Sequence, residues 1–210
     1  GACLRLSPVG KAAGWVLSAP SCEAPAWLAS SLGEMRAFAE RLLAESATGE
    51  IERAFCVGEA LAGELGDELV ESDPETEAWL RYQSARAARV LYDFAAREAA
   101  LAHGAWFDTH PDGYSREMAM LIEQGRRIDL REHTLTEQAR HQVRESFTQF
   151  FEQCQALLTA DSEAMTAAAT LAGLPVLTLA RGQRGPVHLI LPGTDYLGAA
   201  FELAGLIPAE

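Results

Sequence analysis

The sequence holds a single lysine, Lys11. Any chemistry that needs a lysine base must use it, because arginine does not give up its proton. Four cysteines are present, Cys3, Cys22, Cys56 and Cys154, too far apart to form a CxxC pair. That spacing gives no zinc site and no disulfide framework, so the expectation is free thiols in a reducing, cytoplasmic setting. No uninterrupted apolar run approaches the length of about 18 residues that a membrane-spanning helix requires. The stretch "GACLRLSPVGKAAGWVLSAPSC" is broken by Pro8, Gly10, Lys11 and Gly14, and so lacks the continuous apolar segment of a signal peptide. An initiator Met is also missing, from which we expect a chain trimmed or cut from something longer. No glycine-rich phosphate loop occurs: Gly173, Gly182 and Gly185 do not match a strand-to-helix cradle.

Positive charge is scarce. Lysine and arginine total 17 against 30 acidic residues, a net charge of -13 over 210 residues. Such a surface repels a phosphate backbone and an anionic membrane, which excludes nucleic acid and membrane as natural partners. About half of the chain is apolar, enough to build a real core.

Periodicity supplies the elements. "GWVLSAP" at 14–20 and "IERAFCV" at 51–57 read as short strands. Between them, 24–46 reads as a helix on the spacing of Trp27, Leu28, Leu32, Met35, Phe38, Ala39 and Leu42, which makes it a crossover. The clearest helix is 71–104, with Asp73 as N-cap, Pro74 in the first turn and Gly104 as C-cap. Ser84 interrupts its apolar face, where its hydroxyl is expected to bond back to the preceding turn. A turn at 108–115 leads to a helix at 116–128, and Thr134 with Glu137 forms a capping box for a longer one. "ALLTA" at 156–160 reads as a strand, "SEAMTAAATLAG" as a short helix, and "VLTLA" and "PVHLIL" as adjacent strands. The last helix is expected to be capped by Thr194 or Asp195. The sum is a mixed α/β sheet flanked by helices, one domain over 1–210 with an irregular segment at 1–13.

The polar constellations read mostly as surface. His141 and Glu145 are four apart on a helix, with no third ligand at matching spacing. Asp108 and His110 have no nucleophile in sequence reach. Ser30 and Ser31 fall inside the 24–46 helical pattern rather than on the glycine-rich turn a nucleophilic serine needs. Arg126, Arg127 and Arg131 are interleaved with acids, as on a salt-bridged surface. Alternation places His188 opposite Val187 and Leu189.

The ordered series "EQCQALLTA", "TAAATLAGLPVLTLARG" and "GPVHLILPG" resembles the C-terminal part of the amidase signature family, and "E-x-W" at 77–79 resembles its middle helices. The resemblance covers most of 14–207. It implies the C-terminal half of that α/β fold. It implies candidates for a substrate pocket at Thr159, Thr166, Gly173, Leu174 and Pro175, which fall on the family pattern, and at His188, in the strand standing where the family has a glutamine strand. The family hydrolyses amides with a Ser–Ser–Lys triad in a Gly/Ser-rich segment of its N-terminal half. This sequence has no such segment, so no catalytic residue carries over. The family's Pro is Ala160 here, its Pro-x-Gly reads Ala180-Arg181-Gly182, and the stretch from Thr159 to Thr166 is short. The expectation is an amidase-derived binding or assembly module without a triad, cofactor or metal. The alternative is the C-terminal half of an amide hydrolase. Its partner would be an N-terminal amidase half or, for the module, a second copy. The two differ in one structural respect: a half-enzyme leaves an apolar sheet edge or face exposed.

Overall fold

The computed structural model describes residues 1–5, 26–42, 48–65, 70–160 and 163–208. The expected strand at 14–20, with Lys11 and Cys22, lies outside them. A seven-stranded mixed sheet organises the rest, built from β1 (Ala2–Arg5), β2 (Ala26–Ala29), β3 (Ala54–Val57), β4 (Val70–Glu71), β5 (Ala156–Thr159), β6 (Val176–Ala180) and β7 (Pro186–Ile190). Their order is β2-β1-β6-β7-β5-β3-β4. β3 runs parallel to β4 and β5, and every other pair is antiparallel.

Helices cover both faces. Strand residues alternate between two apolar clusters, as period-2 side chains must: Leu158, Leu177 and Leu189 belong to one, Leu157, Val176 and Ile190 to the other. The first cluster is closed by α1 (Leu32–Leu42), α2 (Glu59–Leu65) and α7 (Leu197–Leu206) through Met35, Leu61 and Phe201. The second is closed by α3 (Pro74–Thr109), α5 (Leu130–Phe150) and α6 (Glu163–Ala172) through Leu80, Phe147 and Met165. Each fully buried Leu or Phe in these layers contributes about 2 kcal/mol of transfer free energy.

Local chemistry explains where the helices begin and end. Asp73 caps α3 by accepting the Thr76 N–H at 2.7 Å, and Pro74 occupies the first turn. α6 ends in a Schellman turn. Gly173 adopts φ +77, Leu174 N–H reaches the Ala169 carbonyl at 2.8 Å, and Gly173 N–H reaches Thr170.

Several expectations are corrected. Residues 1–13 are not irregular throughout: Ala2–Arg5 is β1, inserted between β2 and β6. The expected helix over 24–46 is strand β2 followed by α1. Trp27 and Leu28 suit either state, and antiparallel pairing with β1 decides for strand. Ser30 and Ser31 therefore precede the helix. Ser31 Oγ accepts the Glu34 N–H, while the Glu34 carboxylate takes the Ser30 hydroxyl and N–H. Gly104 is not a C-cap; α3 continues to Thr109, and Arg126 from α4 (Arg116–Arg127) donates to the Gly104 carbonyl at 2.6 Å. The capping box of α5 is Asp129 with Glu132 rather than Thr134 with Glu137. Neither Thr194 nor Asp195 caps α7: Thr194–Tyr196 form a 3-10 turn, and the helix starts at Leu197 without a side-chain cap. Ser84 donates across to Met165 Sδ at 2.8 Å instead of bonding back along α3.

Candidate functional site

Adjacent parallel strands β3 and β5 send their chains to opposite faces. β3 leads into α2 on the first face, and β5 leads into α6 on the second. In open α/β sheets, ligands bind beyond the carboxyl ends of the strands at such a switch point. Gly58, at φ +107, makes the turn out of β3, a conformation glycine adopts without strain. Its N–H is taken by the Glu77 carboxylate at 3.1 Å, and Glu77 also pairs with Arg81 at 2.8 Å.

A polar row crosses the sheet at this end. In register across five strands stand Cys3, Thr178, His188, Thr159 and Val57. The next row on the same face reads Arg5, Val176, Ile190, Leu157 and Phe55, apolar except at its margin. His188 is 7% exposed and its Nδ1 lies 2.9 Å from Thr178 Oγ1; Thr159 is fully buried. Buried polar groups of this kind are costly unless hydrogen-bonded, so a row of them is a feature to be explained by function.

Of the six sequence candidates, Thr159 and His188 are cross-strand partners in this row. Thr166 sits in the first turns of α6, where its carbonyl accepts Arg5 Nη2 at 3.1 Å. Gly173, Leu174 and Pro175 lie at the other end of β6, where they form the α6–β6 link; the Pro175 carbonyl accepts the Leu191 N–H at 3.1 Å. Thr178, Cys3 and Arg5 were missed. Thr178 was findable from the "RGQRGP" turn, whose register sets it opposite His188. Cys3 and Arg5 were not, because β1 was not foreseen.

Behind the row, on the α2 face, Arg181 follows β6 and pairs with Glu64 of α2. Its side chain is 6% exposed, and its Nε has no partner. Arg184 approaches the other Glu64 oxygen at 3.5 Å. The pair ties the β6–β7 hairpin to the helix that follows β3.

The remaining constellations lie on or just after helices α3, α4 and α5, outside the polar row. Asp108 pairs with Arg126 at 2.8 Å, while His110 stacks on Trp106 with ring centroids 4.6 Å apart. His141 and Glu145 form an exposed pair at 3.0 Å. Among the described residues, no group of three His, Cys, Asp or Glu is placed to hold a metal.

Cys3, Cys56 and Cys154 are free thiols. Burial pushes Cys56 and Cys154 up to about 12; burial also raises Cys3, which is only half-buried and lies beside the opposing charge of Arg5. Only the thiolate attacks a labelling reagent. In a Cys22→Ser variant at pH 8, one thiol, Cys3, is expected to react before denaturant is added. Mass mapping checks this, and fast modification of Cys56 or Cys154 contradicts it.

By sequence alone, the chain matches no family model and none of the curated proteins. By structure, it is similar to solved amidases. A structure described as an amidase superposes with a TM-score of 0.70 at 20% identity, covering 98% of this chain and 57% of the other. A 6-aminohexanoate cyclic dimer hydrolase bound to its substrate gives 0.58 at 13%, covering 99% and 60%. A bacterial aryl acylamidase of the amidase signature family gives 0.57 at 13%, covering 81% and 46%. The chain thus has part of the amidase signature fold, and spans about half to three-fifths of the length of these neighbours. No described helix is long and apolar enough to cross a membrane.

Proposed function

We propose that this chain is the C-terminal lobe of an amidase-like protein, with half of a ligand site at the strand ends. The observation that carries the reading is the buried polar row Thr178–His188–Thr159 at the switch point, continuing to Cys3 on a margin that contributes no residue to the apolar cluster of the second face. The row offers hydroxyl and imidazole groups that both donate and accept, which suits the N–H and C=O of an amide. Thr166 borders the site from α6, whereas Gly173, Leu174 and Pro175 support it from behind by fixing the entry of β6. On this reading the lobe alone binds without hydrolysing. Cleavage of a C–N bond requires a complementary segment or chain that supplies nucleophile and base.

The exposed margin favours this reading over a self-sufficient module, which should present closed surfaces. Free thiols suit a reducing compartment, and so a cytoplasmic location.

The test is NMR titration of the chain with acetanilide and benzamide, alongside a turnover assay. Weak binding that shifts resonances of the row is expected, with no turnover. Thr178→Val and His188→Ala should abolish the shifts while leaving the fold intact. Shifts confined to other surfaces, or turnover by the isolated chain, would sink the proposal.

A further inference from the structure

The second face of the sheet is only partly covered. Its apolar cluster takes residues from β3, β5, β6 and β7 and none from β1 or β2. The strip left over carries Ala26 and Leu28 of β2 beside Arg5 and Cys3 of β1, in the pairs Arg5–Ala26 and Cys3–Leu28. Ala26 is exposed and Leu28 is 85% exposed. β2 is also the edge of the sheet, with no strand on its outer side among the described residues. An exposed edge bearing a large apolar side chain is a surface that proteins ordinarily blunt or cover.

Arg5 adds a second, independent feature. Arg5 is half-buried, and its guanidinium has one hydrogen bond among the described residues, to the Thr166 carbonyl at 3.1 Å. Among the described residues no carboxylate lies within ion-pair reach of it, although the chain carries 30 acidic residues. Burial lowers its pKa, opposed among the described residues by the neighbouring Cys3 thiol alone. Partly buried arginines are normally paired.

Resting on the half-site reading above, we infer that the β1–β2 strip is the seat of a complementary polypeptide lobe. That lobe lays an apolar segment over Ala26 and Leu28 and brings a carboxylate to Arg5. The lengths of the neighbours argue for this occupant: 43% of the amidase and 40% of the cyclic dimer hydrolase have no counterpart in this chain (100 less the 57% and 60% matched). The strip adjoins the polar row through Cys3, so a lobe seated there also closes the site.

The test co-expresses the chain with the polypeptide encoded immediately upstream of residue 1, in the same or the preceding reading frame. Size exclusion with light scattering should show a 1:1 complex. Leu28→Asp and Arg5→Glu should each weaken it about tenfold or more. Leu101→Asp, on an equally open part of α3, should leave it intact. Thermal melts of the isolated variants check that the exposed Leu28 can be changed without unfolding. A complex insensitive to both strip variants, no complex at all, or a homodimer that Leu28→Asp dissolves each overturns the inference. A strip-dependent complex that neither binds nor cleaves amides upholds the docking and overturns the proposed function alone.

Discussion

Gly125→Ala should destabilise the protein by about 2 kcal/mol or more, the loss falling on the packing of α3 against α4. A Cβ at this position would stand 1.8 Å from the Ala96 carbonyl oxygen and 2.9 Å from the Ala100 Cβ. The first of these is backbone inside a long helix and cannot rotate away. Overpacking of that kind costs about 3 kcal/mol. Exchanging Gly for Ala in a helix returns about 1 kcal/mol. The contrast is Gly104→Ala in α3, where the nearest atom is an Arg126 guanidinium nitrogen at 3.4 Å, the far end of a flexible side chain. There the helix-propensity gain should survive, and stability should hold or rise. Urea melts of both variants, with amide exchange over α4, decide the matter. Equal effects at the two glycines would show that α3 and α4 are not in close backbone contact.

The second large effect is expected at the Arg181–Glu64 pair. Glu64→Gln leaves a guanidinium buried without a counter-charge, and its Nε already has no partner. Breaking a buried ion pair from one side costs about 3–5 kcal/mol. Arg181→Ala should cost less, about 2–3 kcal/mol on the same principle. The reason is that Glu64 is 28% exposed and keeps Arg184 at 3.5 Å. Replacing both residues, as Arg181→Met with Glu64→Leu, should recover most of the loss, since apolar substitutes of similar volume commonly match a buried pair. A double-mutant cycle in urea measures the coupling. A coupling near zero would mean that the hairpin and α2 are held by the apolar layer alone.

Much of the fold was legible because the C-terminal third obeys local rules. "ALLT", "VLTLA" and "PVHLI" are short apolar runs between turn residues, and each is a strand. Asp73 with Pro74 announced α3, and Gly173 with Pro175 marked the return to the sheet. What failed was non-local. β1 and β2 are four residues each, and neither carries a pattern that distinguishes strand from helix without its partner. β2 is a strand because it pairs with β1, and β1 is held by β6 far along the chain. Two-residue β4 and seven-residue α2 are too short to leave a period. Half of the candidate site was legible for the same reason. Thr159 and His188 lie on strands read correctly, whereas Cys3 and Arg5 lie on a strand that exists only through its distant partner. The capping errors at Thr134 and Thr194 were a matter of a turn's offset: Asp129 with Glu132 outcompeted a second box one turn later.

The strand order has a consequence for how the molecule is made. β1 is synthesised about 170 residues ahead of its inner neighbour β6 (Ala2 against Val176). At ribosomal speeds of about 5–20 residues per second, the β1–β2 pair waits on the order of ten seconds for that neighbour. During that interval both of its edges are bare. The sheet cannot close from its first strands outward and must instead assemble around β5, β6 and β7, which are contiguous in sequence, and collect β1 last. A chain wired in this way completes its sheet late, and until β6 arrives its early strands are the part most open to wrong partners.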